Sequence, residues 1–186
     1  MSTIRLASAS QTRAKMLKRA GIEFVQSPGE FDEEALEHSC PRAFVYHATE
    51  GKTASALKLY GEDMPILCAD TVVTADESIL RKPKDIHQAR ETLLRQSGHA
   101  IAILTCTILH TARLHLVDLS VTTYRFAPFD PADLERYLQS GLWRDKAGGC
   151  MVEGFCKPYI RQVEGYESTA LGMTLEVVRP FLERDV

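Results

Sequence analysis

Asp70 is the residue of this chain whose neighbours in the sequence most strongly indicate a functional role. It lies inside the run ILCADTVVTA, in which the neighbouring side chains are apolar or carry small hydroxyl groups. A carboxylate in such a run is costly to bury unless a cation or a hydrogen bond compensates its charge. Asp70 is therefore either an aspartate that caps a turn at a strand end or a functional carboxylate such as a general base.

A second group of carboxylates is the acidic run Asp32, Glu33 and Glu34. Adjacent carboxylates bind hard cations such as magnesium well. The same run is also typical of an acidic loop that is simply solvated. Both interpretations stay open from these residues alone.

The string LASASQTR predicts a strand that passes through a serine-rich turn into a helix. The first turn of a helix offers free backbone N–H groups and the positive end of the helix dipole. Ser8, Ser10 and Arg13 add further donors, so the segment can serve as a phosphate cradle. The alternative is a serine cap followed by a surface arginine.

Three lysines are candidates for binding an anion: Lys52 in a predicted helix, Lys82 in RKP and Lys146 in DKAG. Lysines are usually surface charges, although the proline after Lys82 stiffens the backbone there. The six histidines show no metal-ligand spacing such as HExxH, and we assign them no role.

The elements that must position these residues follow from periodicity and from capping residues. The predicted strands cover residues 3–7, 22–26, 66–75, 100–110 and 114–126, and the predicted helices cover 11–20, 41–60, 86–96, 131–140 and a last helix from about 174. Pro180 predicts a kink or an early end of that last helix. Interleaved strands and helices with one long hairpin predict an α/β fold with a mixed sheet, formed by a single domain over residues 1–186.

Bulk properties restrict the class of protein further. Hydrophobic residues make up 45% of the chain and charged residues 25%, which is ordinary for a globular protein. The net charge of -3 gives no global reason to expect DNA or RNA binding. The sequence lacks the long apolar run of an export signal or a membrane helix, so we expect a cytoplasmic protein. We expect its five cysteines to be reduced thiols.

The motifs together resemble those of the Maf family of nucleoside triphosphate pyrophosphatases. LASAS with Arg13, DEE, Lys52, ADTVV, KP, DKAG and a final EG–LG pair occur in this order along nearly the whole chain. The resemblance implies a mixed α/β fold with flanking helices and a deep cleft, related to the inosine triphosphate pyrophosphatases, and a homodimer. It also implies hydrolysis of a nucleoside triphosphate to the monophosphate and pyrophosphate.

The resemblance assigns roles residue by residue. Asp70 becomes the general base, and Glu33 with Asp70 holds a divalent cation, magnesium or manganese. The substrate-binding residues are Ser8, Ser10, Arg13, Lys52, Lys82 and Lys146. Two alternatives remain: a nucleotide phosphatase that releases orthophosphate, and a non-catalytic nucleotide-binding regulator of cell division. A phosphatase of the haloacid dehalogenase type is excluded, because Cys68 stands where its second aspartate belongs.

Some residues depart from the family pattern, and they affect which nucleobase we expect the protein to prefer. Thr12 stands where an arginine is frequent, and Glu153 stands where many members carry glutamine. A carboxylate accepts from the two adjacent donors of guanine, whereas Thr71 in ADT resembles the pyrimidine-directed branch. We therefore predict guanine-type or broad specificity, with Thr12, Thr71 and Glu153 in the base pocket. The alternative is that Glu153 pairs with Lys146 or Lys157.

Overall fold

The structure is a computed structural model and describes residues 3–33, 36, 40–76 and 78–183. In this part of the chain, seven strands form one sheet in the order β2-β1-β3-β5-β6-β7, and β4 pairs with β3. The strands are β1 Ile4–Leu6, β2 Phe24–Gln26, β3 Ile66–Ala75, β4 Ser78–Leu80, β5 Ala100–His110, β6 His115–Phe126 and β7 Ile160–Glu164. The helices are α1 Gln11–Arg19, α2 Pro41–Tyr60, α3 Ile86–Gln96, α4 Pro131–Ser140, α5 Glu167–Ala170 and α6 Leu175–Glu183.

The sheet contains both parallel and antiparallel pairs. β1 pairs in parallel with β2 and with β3, whereas β4 runs antiparallel to β3 and β7 antiparallel to β6. Thr111 and Leu114 exchange both backbone hydrogen bonds, so a tight turn joins β5 to β6 in the predicted long hairpin. The predicted α/β fold with a mixed sheet is confirmed.

The sheet's central strand, β3, is buried along almost its whole length, which its β-branched and apolar sequence explains. The predicted helix starts are confirmed as well. The side chains of Ser10, Asp85 and Asp130 each accept a hydrogen bond from a backbone N–H in the first turn of α1, α3 and α4. Gly141 ends α4 in the left-handed conformation, with φ 70°.

Tertiary contacts divide the chain into two compact units. The first unit contains the described residues up to Thr71, Leu104–Ser120 and the residues from Tyr166 onward. Its core includes residues of β1, α1, β3 and α6, among them Leu6, Leu17, Leu67 and Val178.

The second unit contains Val72–Ile103 and Val121–Gly165, so β3, β5 and β6 each contribute residues to both units. In the second unit, Leu93, Leu138 and Trp143 are fully buried. Close ring contacts also link Phe129, Phe155 and Tyr159 there.

Of the two outcomes predicted at Pro180, a kink or an early end of the helix, the early end is wrong. α6 continues through Pro180. Proline removes one backbone hydrogen bond and is costly inside a helix. Val178 and Leu182, which flank it, are buried in the core of the first unit, and this packing holds the last turns in helical form.

The expectation of five reduced thiols is wrong for two cysteines. Cys150 and Cys156 are disulfide-bonded, with their Cα atoms 6.4 Å apart. The backbone between them turns back on itself, because the N–H groups of Gly154 and Cys156 both donate to the carbonyl of Met151. Cys40, Cys68 and Cys106 are free thiols, as predicted. Among the described residues, no helix combines the length and the apolar character that crossing a membrane requires.

Candidate active site

Asp70 lies on β3 and forms an ion pair with Lys52 of α2. Lys52 Nζ donates to Asp70 Oδ1 at 2.5 Å and also donates to a carboxylate oxygen of Glu33. The side chain of Asp70 is 8% exposed, whereas those of Lys52 and Glu33 are 22% and 31% exposed. Three residues that are far apart in the sequence therefore meet around one ammonium group.

Burial changes the acidity of this carboxylate. It raises the pKa of Asp70, and the negative charge of Glu33 raises that pKa further, while Lys52 and Arg13 lower it. Burial is the largest of these effects, so the net shift is upward. A carboxylate with a raised pKa is a stronger base than an ordinary aspartate.

Hydrogen bonds to its own side chains hold the serine-rich turn between β1 and α1. Ser10 Oγ accepts from the backbone N–H of Arg13 at 3.4 Å, and Ser8 Oγ accepts from the N–H of Ser10 at 3.2 Å. Gln26 Nε2 donates to the carbonyl of Ser8 at 2.8 Å and ties the turn to β2. Thr12 is half-buried in the first turn of α1.

Arg13 connects this turn to the rest of the first unit. Its Nη1 donates to Ser8 Oγ at 3.1 Å, its Nη2 to Thr71 Oγ1 at 3.2 Å and its Nε to the carbonyl of Gly172 at 2.7 Å. A guanidinium has five N–H donors, so these bonds leave two for a ligand. Burial lowers the pKa of Arg13, an effect that Asp70 and Glu33 oppose, and the group stays charged.

Two threonine hydroxyl groups support Arg13, and the sequence motifs alone did not indicate this role for them. Thr71 Oγ1 and Thr105 Oγ1 lie 2.9 Å apart, and Thr105 donates to the carbonyl of Thr169 at 2.7 Å. Thr105 is fully buried in β5. A threonine hydroxyl within the apolar run AIAILTCTIL was the available signal, because a buried hydroxyl needs a partner.

Gly172 was part of the EG–LG pair, but its contact with Arg13 was not foreseen. Its φ is +108°, a conformation that L side chains rarely adopt. A Cβ at this position would lie 3.3 Å from Arg13 Nε and 3.4 Å from Thr71 Oγ1. Glycine therefore allows the backbone carbonyl to approach the guanidinium.

The second unit contains the other predicted site residues, and there the KP and DKAG motifs meet. The N–H of Gly148 donates to the carbonyl of Arg81 at 3.2 Å, and a Cβ on Gly149 would lie 3.3 Å from Pro83. Lys82 is exposed, and Lys146 is half-buried at the start of a short 3-10 turn, Ala147–Gly149. Two predicted phosphate-binding lysines therefore lie on loops that contact each other.

Glu153 lies in the segment that the Cys150–Cys156 disulfide closes. Its side chain is exposed, and its charge raises the pKa of Tyr137 as a smaller effect beside burial. The ion pairs formed by the described residues do not include Glu153, so its pairing with Lys146 or Lys157 finds no support in this part of the chain.

Two carboxylates of the site are candidate ligands for a divalent metal. The carboxylates of Glu33 and Asp70 converge on one cationic group, the ammonium of Lys52. Two carboxylates are a sufficient protein contribution for magnesium, which takes its other ligands from water and from substrate phosphates. Among the described residues, no group of three or more His, Cys, Asp or Glu is arranged to hold a metal ion. Glu34, the third member of the acidic run, lies outside the described residues.

The mixed α/β sheet carries a helix N-terminus with serine hydroxyls, a hydrogen-bonded arginine and two carboxylates that pair with the ammonium of Lys52. The Maf-like protein family model matches residues 3–185. The chain belongs to this family.

Curated relatives extend over almost the whole chain. A nucleoside triphosphate pyrophosphatase of Nitratiruptor sp. is 54% identical over 93% of this chain and 95% of its own length. A protein of the same name from Helicobacter pylori (strain Shi470) is 44% identical over 92% of this chain and 90% of its own. The solved structure of the Staphylococcus aureus Ham1 protein aligns with a TM-score of 0.49 at 14% identity, over 67% of this chain and 72% of that chain.

Proposed function

We propose that this protein is a nucleoside triphosphate pyrophosphatase that hydrolyses its substrate to the nucleoside monophosphate and pyrophosphate. The observation that carries the proposal is the buried Asp70 carboxylate, paired with Lys52 in a member of the Maf-like family. Its relatives are named for this activity, and they align with 92–93% of this chain.

The reaction is a displacement at the α-phosphorus. Asp70 accepts a proton from the attacking water, the new bond forms between the water oxygen and the α-phosphorus, and the bond from that phosphorus to the bridging oxygen breaks. Pyrophosphate leaves with the bonding electron pair. A general base with a raised pKa is suited to accept the proton from water. The highly negative polyphosphate of the substrate, from which pyrophosphate leaves, needs several cations around it.

The chain's own residues supply that positive charge. Arg13 has two N–H donors left for a ligand, and it faces the same turn as the N-terminus of α1. Lys52 lies next to Asp70, the proposed general base. Lys82 and Lys146 complete the proposed substrate-binding set. We further propose that Glu33 and Asp70 hold magnesium or manganese, which when bound neutralises phosphate charge and polarises the phosphoryl oxygens.

The finer expectations from the sequence stay proposals. They are a homodimer, a cytoplasmic location, no binding of DNA or RNA, and a base pocket that contains Thr12, Thr71 and Glu153. In the structure the hydroxyl of Thr71 bonds to Arg13 and to Thr105. We therefore propose that Thr71 influences recognition of the nucleobase in two ways: by direct contact, and by positioning Arg13.

A product assay in ¹⁸O-labelled water tests the proposed reaction. The enzyme is incubated with Mg²⁺ and with GTP, 7-methyl-GTP, UTP or dTTP. The products are separated, and their masses are measured by mass spectrometry. We expect monophosphate plus pyrophosphate, with the label in the monophosphate because water attacks the α-phosphorus. Orthophosphate plus diphosphate would establish the phosphatase, and binding without turnover would establish the regulator. A label in pyrophosphate would contradict attack at the α-phosphorus.

A further inference from the structure

Arg13 is connected by two routes of hydrogen bonds to one short segment of the chain. Its Nε donates directly to the carbonyl of Gly172 at 2.7 Å, and its Nη2 donates to Thr71 Oγ1 at 3.2 Å. From Thr71 the bonds continue to Thr105 Oγ1 at 2.9 Å and from there to the carbonyl of Thr169 at 2.7 Å. Both routes from the guanidinium therefore end on backbone carbonyls of the same segment.

The direction of these hydrogen bonds follows from the groups that take part. A backbone carbonyl only accepts, so the single hydroxyl proton of Thr105 lies on the bond to Thr169. The contact between the two threonine oxygens therefore uses the proton of Thr71, which donates to Thr105. A guanidinium only donates, so Thr71 accepts from Arg13. Each hydroxyl thus accepts on one side and donates on the other.

We propose that Thr105 is a positioning residue for substrate binding, because it fixes the hydroxyl proton of Thr71. With that proton committed, the Thr71 oxygen presents lone pairs to Arg13 Nη2. The inference rests on the proposed function, in which the two remaining donors of Arg13 bind the triphosphate. Thr105 is fully buried, so it acts through Thr71 and Arg13 and does not touch the substrate.

The order of this chain matters because arginine has a long and flexible side chain. Immobilising such a side chain costs free energy when a ligand binds, and a side chain that is already held avoids this cost. Three hydrogen bonds hold the guanidinium of Arg13. The bond to Thr71 depends on a hydroxyl group that rotates unless its proton has an acceptor. Thr105 provides that acceptor.

The segment at the end of both routes is itself attached to β5. The hydroxyl oxygens of Thr169 and Thr174 are 3.1 Å apart, and the N–H of Thr174 donates to Thr107 Oγ1 at 3.3 Å. The carbonyl of Thr169 also accepts from the N–H of Gly172 at 3.0 Å. Removing the hydroxyl of Thr105 therefore leaves this carbonyl with a partner, and we expect the fold to tolerate the change.

Calorimetric titration with a GTP analogue tests the proposal. The analogue carries a methylene group between its α and β phosphorus atoms, so the proposed reaction cannot cleave it, and Mg²⁺ is present throughout. Thr105→Val keeps the shape of the side chain and removes its hydroxyl. We expect this variant to bind the analogue about three- to tenfold more weakly, the usual effect of one hydrogen bond. Thr105→Ser keeps the hydroxyl and should bind within about twofold of the wild type.

A double variant separates positioning from a general effect on the fold. In a Thr71→Val background the chain of hydroxyls is already broken, so Thr105→Val should weaken binding by less than about a further twofold. Thr107→Val is the matched control. Thr107 is also fully buried in β5, and its hydroxyl holds the same segment through the N–H of Thr174. This variant should lower the Tm without changing the affinity.

The Tm of each protein shows whether it is folded, and Thr105→Ala, with a smaller side chain, replaces Thr105→Val if valine prevents folding. The proposal is overturned by a wild type that does not bind the analogue, by unchanged affinity in the variant without the hydroxyl, or by additive losses in the double variant. A loss of the same size in Thr107→Val or in Thr105→Ser also overturns it.

The proposed function fails on a different result. A wild type that binds the analogue but leaves GTP intact contradicts hydrolysis and does not contradict the role of Thr105. A wild type that hydrolyses GTP while Thr105→Val binds the analogue normally contradicts only the role of Thr105.

Discussion

At the scale of single residues, Asp70 is buried and is also paired with a cation, which favours its ionised form. Burial alone favours the protonated acid, which cannot accept a proton from water. Lys52 opposes that shift from 2.5 Å away. The result is a carboxylate that is more basic than an exposed aspartate and is still paired with a positive charge.

We predict that Asp70→Asn lowers kcat by about 10²–10⁴-fold, the usual cost of losing a general base. The matched control is Asp63→Asn, since Asp63 is an exposed aspartate in the loop that follows α2. Steady-state kinetics with Mg²⁺ and GTP measure both variants. Turnover of a folded Asp70→Asn variant within a few-fold of the wild type would remove Asp70 from the role of base.

The raised pKa of Asp70 also predicts a dependence of stability on pH. A carboxyl group whose pKa is raised by folding costs no stability while it is protonated, and it costs stability as the pH rises through its unfolded value of 3.8 toward its folded pKa. Asparagine never ionises and avoids this cost. At neutral pH we therefore expect Asp70→Asn to melt at a higher temperature than the wild type.

Thermal unfolding of the two proteins at a series of pH values checks this. The difference between their Tm values should shrink as the pH falls and should vanish below about 3.8. A lower Tm for Asp70→Asn at neutral pH would show that the ion pair with Lys52 outweighs burial.

At the scale of secondary-structure elements, α2 positions Lys52 and also sets the path of the acidic segment. Gly51 lies inside this helix, and a Cβ there would overlap the ring of Phe31. Phe31 is two residues before Glu33. The absence of a side chain at Gly51 therefore allows the segment with Glu33 to approach Lys52.

We predict that Gly51→Ala lowers kcat/KM by about tenfold or more and does not stabilise the protein. Alanine stabilises a helix by about 1 kcal/mol relative to glycine. Helix propensity alone would therefore raise the Tm of Gly51→Ala, and the overlap with Phe31 should cancel this gain. Activity and Tm are measured together, with Lys58→Ala at an exposed position of α2 as the control. Phe31→Ala in the Gly51→Ala background relieves the overlap. A higher Tm with unchanged activity in Gly51→Ala would contradict this account.

The loops with the KP and DKAG motifs support a prediction about phosphate binding. Lys82→Ala should lower kcat/KM for every nucleotide by a similar factor of about 10–100, because a hydrogen bond to a charged group contributes about 1.5–3 kcal/mol. Lys84→Ala, two residues away and exposed, is the control. A loss confined to one base would move Lys82 from phosphate binding to base recognition.

At the scale of the whole molecule, the proposed site residues are divided between two compact units. Ser8, Arg13, Lys52 and Asp70 belong to the first unit, and Glu153 belongs to the second. The residues proposed to activate water therefore belong to the first unit, whereas those proposed for the base pocket come from both, since Thr12 and Thr71 belong to the first unit and Glu153 to the second. Mutation of Glu153 should change specificity more than rate.

We predict that Glu153→Gln shifts the substrate preference from GTP and 7-methyl-GTP toward UTP and dTTP. Glutamine offers a donor and an acceptor, which match uracil and thymine, whereas a carboxylate only accepts. Once the bound base covers the side chain at position 153, a mismatched hydrogen-bond group there costs roughly 1–3 kcal/mol, so the ratio of kcat/KM values should change by about tenfold to a hundredfold. Lys157→Ala is the control for a nearby change of charge. An unchanged ranking of the four nucleotides would exclude Glu153 from the base pocket.

Local features of the sequence determined the elements that could be predicted. Ser10, Asp85 and Asp130 mark helix starts because their side chains bond to N–H groups within three residues. The β-branched run around Asp70 predicts a buried strand for a similarly local reason. The ordered motifs also indicated the family, since they preserve residue types and spacing along the chain.

Tertiary structure alone decided which of these residues meet. The convergence of Glu33, Lys52 and Asp70, and the bond from Arg13 to the carbonyl of Gly172, join residues between 18 and 159 positions apart. The same holds for the persistence of α6 through Pro180, which depends on core packing. Sequence patterns report interactions within a few residues, whereas these contacts depend on how strands and helices pack, and packing involves the whole chain at once.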